Sequence, residues 1–163
     1  MLVHLHHNLM IKLNVMNVLV SACLLGVPCR YDAASKANEK VLSVLKNPVF
    51  NLIPVCPEIL GGLPTPRPPC EIKGGRVITE NGEDRTGEYQ KGAEEVLRLS
   101  KMFRCKFAIL KENSPSCGSN KIYDGTFLRK LTDGNGMTAK LLKENGITVF
   151  GESNLDELDF DLE

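Results

Sequence analysis

Three short apolar runs each hand the chain on to a cysteine. Residues 16–22 (MNVLVSA) lead straight into Cys23, residues 50–56 (FNLIPVC) close on Cys56, and residues 106–112 (KFAILKE) open the loop that carries Cys117. Branched side chains dominate these runs, the pattern of strands buried on both faces. Between them the apolar spacing turns helical. Val41, Leu42 and Leu45 mark a helix in 36–47 that Pro48 stops, and Val96, Leu97, Leu99 and Phe103 form the buried stripe of a helix in 86–103, with Thr86 as its N-cap. A third helix spans 137–146 with Gly146 as its C′ residue, and 147–152 (ITVFGE) reads as a fourth strand. Strands alternating with helices predict an α/β domain, a parallel sheet covered by helices. Right-handed crossovers then bring every strand's carboxyl end to one edge, where open parallel sheets bind their ligands.

The connection after the second strand differs from the others. Six of the nine prolines fall between Pro54 and Pro69, so residues 57–75 read as a stiff loop wall. A short hairpin or edge strand is expected around Val77 and Ile78.

With 163 residues the chain suits one well-cored domain. No apolar run reaches the roughly 18 residues of a membrane span, and residues 1–15 lack the basic start and small-residue cleavage site of a secretory signal. The net charge of zero hides an asymmetry: 152–163 hold six acids and no base, which leaves +6 on the remainder. That mild, dispersed balance, with 6% aromatic residues, suits a small polar or anionic ligand and argues against a nucleic-acid groove. The acidic end reads as a solvated tail. All three histidines, His4, His6 and His7, precede the first strand, so the body has none for a Ser-His-Asp triad, a Cys-His pair or a His-bearing zinc site. Six cysteines without a secretory signal point to a reducing, cytoplasmic setting, where thiols serve metals or catalysis more often than disulfides.

Cys23, Cys56 and Cys117 thus share one sheet edge although 33 and 61 residues separate them. No CxxC pair is present, so any site must be built by the fold. Three thiolates leave one coordination position open on a tetrahedral ion or on one iron of a cluster, and soft sulfur favours iron–sulfur clusters or zinc. The competing reading is buried thiols acting as small hydrophobes. Cys29, six residues after Cys23, competes as a fourth ligand that would close the site. Cys105 precedes its strand and so falls at the far edge, and Cys70 sits in the proline-rich segment; both read as structural. Glu58, two residues after Cys56, could move protons at such a site, or could serve as a cap or ion-pair partner of Arg67 or Arg30. Ser114 lies three residues before Cys117, where serine is also a common turn-former.

These segments form a pattern in order. VSACLLGVPCRYD, VCPEILGGLPTPRPP, GED followed by GAEE, LKENSPSCGS and IYDGTF resemble a family formerly catalogued as a domain of unknown function, whose characterised members are thiouracil desulfurases. The resemblance runs from about residue 16 to 151, leaving 1–15 as an N-terminal extension and 152–163 as the acidic tail. It implies a Rossmann-like, three-layer domain with a mostly parallel sheet of about four strands. It also implies a 4Fe-4S cluster on Cys23, Cys56 and Cys117, whose open iron binds the sulfur of a thiolated base such as 2-thiouracil. Non-redox loss of that sulfur gives uracil and sulfide. Glu58 and Ser114 match the assisting positions, and Arg30, Arg67 and Lys111 are candidates to polarise the ring carbonyl. The family loop usually reads PRPPAEI; Cys70 replaces its alanine here, in keeping with a non-ligand. Two alternatives stand beside this expectation: a non-catalytic iron–sulfur or zinc module sensing sulfur or redox state, and a zinc hydrolase with three Cys ligands.

Overall fold

The computed structural model describes residues 15–157. The three histidines and nearly all of the expected N-terminal extension lie outside the described residues, as do residues 158–163 of the acidic end. In chain order the elements are β1 (Met16–Ser21), a 3-10 turn (Ala22–Leu25), α1 (Glu39–Val44), β2 (Phe50–Val55), α2 (Pro57–Leu60), β3 (Cys70–Lys73), β4 (Arg76–Thr79), α3 (Thr86–Met102), β5 (Phe107–Leu110), β6 (Lys121–Tyr123), β7 (Leu131–Asp133), α4 (Met137–Glu144), β8 (Thr148–Gly151) and a second 3-10 turn (Leu155–Glu157).

Four strands make the central sheet in the order β2-β1-β5-β8, every neighbouring pair parallel. The two-residue period of β1 explains the layers. Val18 and Val20 face one side with Val41, Leu52 and Ile109; Leu19 faces the other with Val96, Ala108, Leu110, Ala139 and Leu142. Both sides are therefore closed, one by α1 and the first 3-10 turn, the other by α3 and α4. This is the α/β, three-layer, four-strand parallel arrangement the sequence predicts. Leu19 is completely buried, so truncating it to alanine is expected to cost about 2–5 kcal/mol.

The strand order decides where a ligand goes. From β1 the chain moves outward to β2, then returns to β1's other side with β5 and continues to β8. The direction of winding reverses between β1 and β5, and a crevice opens at their carboxyl ends.

Three local expectations are corrected. Phe103 is not part of the buried stripe of α3: it follows the last helical residue and is exposed. Residues 57–75 are not loop throughout: Pro57–Leu60 forms a helical turn, and Cys70–Lys73 pairs antiparallel with Arg76–Thr79. Pro57 suits the first helical turn because its missing N–H needs no partner there. Thr86 is not the N-cap of α3. Its hydroxyl accepts the Val77 N–H at 3.0 Å, and Asp84 accepts the Thr86 N–H at 2.8 Å.

Short α2 is held at the carboxyl edge by backbone proximity. A Cβ on Gly92 of α3 would collide with the Pro57 carbonyl, and one on Gly61 with the Glu88 carbonyl. Only glycine lets the two helices approach this closely.

Candidate active site

Each strand end delivers its cysteine within a few residues of the crevice. Cys23 lies in the 3-10 turn that follows β1, Cys56 immediately precedes α2, and Cys117 follows β5 in a looped segment. All three line one cavity of about 570 Å³. Glu58, Arg30, Arg67, Lys111 and Ser114 line it too, so every site residue nominated from the sequence stands on its wall. Cys29 and Cys70 also line it, whereas Cys105 sits at the opposite edge against Ile147 and Leu97.

The Cys117 loop is braced from within and from behind. The Ser114 hydroxyl oxygen accepts the N–H groups of Ser116 and Cys117, both at 3.1 Å. Pro115 and Ser116 offer their carbonyls to the first amides of α4, those of Met137 and Thr138, each at 2.9 Å. These bonds occupy donors that a helix start otherwise leaves unpaired. Gly118 closes the turn, since a Cβ there would lie 2.7 Å from the Ser114 carbonyl and 2.8 Å from that of Lys121.

Glu58 and Arg67 form a pair at the cavity wall. Arg67, 8% exposed, donates from Nε to Glu58 Oε2 at 2.7 Å. Its other nitrogens reach the carbonyls of Pro64 (3.1 Å) and Cys29 (3.0 Å) and the Thr65 hydroxyl (3.2 Å). The guanidinium fork thereby ties α2, the proline-rich segment and the Cys29 loop together. Lys111 pairs with Glu152, which also accepts the Glu112 N–H at 2.7 Å. The first acid of the C-terminal run is thus part of the packed structure. Arg30 pairs with Asp32 at 3.0 Å and lies 5.4 Å from the Tyr31 ring centroid.

Residues 18–154 match the 2-thiouracil desulfurase family, most of the chain. The chain belongs to that family. It is 42% identical over 151 residues to YbbK of Bacillus subtilis (strain 168), an uncharacterized protein, across 86% of this chain and 99% of that one. Among solved structures it is similar to TudS, described as a 4Fe-4S-dependent thiouracil desulfidase, at 46% identity. That likeness has a TM-score of 0.81 and covers 88% of this chain and 95% of TudS.

The donor set of this family member suits a cluster. All six cysteines are free thiols. Cys29 stands between Cys23 and Cys56; its hydrogen bond with Cys23 pushes its thiol up, while that with Cys56 pulls it down. Cys56 is pushed far up by its bond with Cys29 and by burial. Burial pushes Cys117 up to about 12, with Cys56 and Glu58 adding to the effect. Thiols crowded in this way resist ionising by themselves, and a cationic iron–sulfur core is the partner that would stabilise them as thiolates. Among the described residues no group of three Cys, His, Asp or Glu side chains forms a single-ion site. Thiols delivered from separate strand ends to one cavity suit a multi-iron cluster, which can take each thiolate on a different iron.

Several further residues line the cavity, of which Tyr123 and Phe127 belong to the IYDGTF segment and the others were not singled out by the sequence. Glu71, Tyr89, Tyr123, Phe127 and Arg129 reach the wall from β3, α3 and the β6–β7 connection. The two small hairpins fold over the sheet edge, β3 packing against β6. The Cys70 thiol is pushed up by burial, and the Tyr89 hydroxyl far up by the same cause. Among the described residues no helix is long and apolar enough to cross a membrane.

Proposed function

We propose that the protein removes sulfur from a small thiolated pyrimidine such as 2-thiouracil, giving uracil and sulfide, with a 4Fe-4S cluster held by Cys23, Cys56 and Cys117. One observation carries the proposal: these cysteines, Glu58 and Ser114 line a single cavity at the winding reversal of the sheet, in a chain similar to a 4Fe-4S-dependent thiouracil desulfidase. When bound, the cluster supplies a Lewis-acidic iron for the thiocarbonyl sulfur.

The chain's own groups do the rest. Water adds at the ring carbon that bears sulfur, its oxygen becomes the carbonyl, and sulfur leaves as sulfide with no net redox change. Glu58 takes the proton from that water. Both contacts from Arg67 go to Oε2 of Glu58, which leaves Oε1 free of Arg67 to take that proton. Ser114 accepts two N–H groups at its hydroxyl oxygen, so its own hydrogen is available to donate toward the substrate. Arg30 and Lys111, paired with Asp32 and Glu152, put N–H donors on the wall that a polar heterocycle can meet. The free thiols suit a reducing cytoplasm, and a cavity of about 570 Å³ suits a small molecule better than a nucleic acid.

The test is anaerobic cluster reconstitution followed by sulfide release from 2-thiouracil. Expected are bound iron, a brown protein and turnover, with Glu58→Gln keeping the iron and losing about 10²–10⁴-fold in kcat. A reconstituted protein without iron would overturn the proposal. Bound iron with no turnover would assign the site to a non-catalytic cluster protein instead.

A further inference from the structure

The motif IYDGTF, residues 122–127, has no part in the chemistry above, yet it ends at the cavity. Phe127 lines the wall, with Tyr123 and Arg129 on either side in sequence. The turn that carries it, between β6 and β7, has an unusual backbone. Phe127 and Arg129 have φ of 60° and 56°, a left-handed conformation that a bulky residue keeps only under constraint.

The constraint comes from Glu71 of β3, a carboxylate only 7% exposed. Its Oε2 accepts the N–H of Gly125 at 2.9 Å and that of Phe127 at 3.0 Å. Gly125 admits no side chain, since a Cβ would lie 2.8 Å from the Ile72 carbonyl. Asp124 closes the turn by donating its N–H to the Lys130 carbonyl and accepting the Thr126 N–H, both at 3.0 Å. Glu71 makes no ion pair among the described residues. A buried carboxylate needs strong donors, and here both are amides of this one turn.

We propose that Phe127 is the aromatic wall on which the substrate's planar ring rests, and that Glu71 is the positioning residue that holds it there. This deepens, and rests on, the desulfuration proposed above. The other cavity aromatics fit the role less well. Tyr89 is sealed at 2% exposure, the Arg30 guanidinium lies against the Tyr31 ring, and the half-buried Tyr123 at the end of β6 carries a hydroxyl on its ring. Phe127 is half-buried, has no polar tip, and has its N–H held by the Glu71 carboxylate of another element. A flat heteroaromatic base gains affinity from such a face whatever its substituents.

The experiment uses reconstituted holoenzymes with matched iron content. Phe127→Leu is expected to raise the KM for 2-thiouracil about tenfold with kcat within about twofold. Phe127→Tyr, which keeps the ring, recovers most of that affinity. Glu71→Ala follows Phe127→Leu, and Glu71→Gln, which keeps an acceptor oxygen, follows Phe127→Tyr. Affinity for uracil, measured by equilibrium dialysis, shifts in parallel. The preference for 2-thiouracil over its non-planar 5,6-dihydro analogue collapses in Phe127→Leu. Wild-type turnover together with an unchanged KM and preference in Phe127→Leu would overturn the inference alone. Wild type without turnover would overturn the desulfuration proposal and the inference with it. If Glu71→Ala fails to fold, the Phe127 variants still decide.

Discussion

Cys105 and Cys117 stand at opposite ends of β5, 6% and 5% exposed. Burial pushes both thiols up, and for Cys105 it is the one cause. Around Cys117 there are also Cys56 and Glu58, which push it further up, and the Ser21 and Ser116 hydroxyls, which pull it back. At the amino end of the strand a cysteine fills space between α3 and the start of β8. At the carboxyl end, separate strand ends bring further sulfurs and a carboxylate to the same place. Burial makes a thiol inert; convergence with groups from other elements makes it useful.

The sharpest way to break this contrast is to remove each thiol in turn. Cys117→Ala is expected to abolish cluster assembly and turnover, read by iron analysis and sulfide release. Cys105→Ala should keep both and cost about 1 kcal/mol of stability, read by denaturant titration. Equal losses of iron in the two variants would refute the distinction.

A second large effect is expected far from any sulfur. Gly92→Ala forces α2 away from α3, because the new Cβ meets the Pro57 carbonyl. Since α2 carries Glu58 and follows Cys56, thermal unfolding should shift downward by about 1–3 kcal/mol in stability, and reconstituted iron should fall with it. An unchanged melting curve would mean that the carboxyl edge is less tightly assembled than its packing indicates.

Cys29→Ala sharpens the comparison within the cavity itself. With three ligands proposed, this variant should bind a normal cluster and retain most of its turnover; loss of iron, by optical spectrum and metal analysis, would promote Cys29 to ligand. The smallest effect is a pH dependence outside the cavity. The Thr86 hydroxyl and N–H, with Arg76, hold Asp84 down at about 2. A depressed folded-state value contributes stability above the unfolded value of about 3.9, and the contribution is lost as pH falls through about 2. Acid titration of Asp84→Asn should therefore show a shallower loss of stability than wild type between these limits.

Much of the architecture is legible in local pattern. The runs at 16–22, 50–56, 106–112 and 147–152 are central strands because branched residues there must be buried on both sides, and the stripe through Val96 and Leu97 makes α3. β6 and β7 are not legible for the opposite reason. They have three residues each, those of β7 all exposed, so neither leaves a two-residue hydrophobic period to read. Local pattern does not fix the start of α3, because Asp84 and Thr86 are both competent caps and only the position of Val77 shows which bond each side chain makes.

The site divides along the same line. By itself the sequence determined that Cys23, Cys56 and Cys117 lie at strand ends, because short apolar runs in alternation with helices leave few other topologies. It also placed Glu58 and Ser114 near them by simple proximity in the chain. Only the tertiary structure decided that Arg67 grips Glu58, that Cys29 stands between two other thiols, and that Glu71 holds Phe127 against the cavity. Each of those contacts joins elements whose relative placement depends on close packing over long loops, and no local periodicity records it.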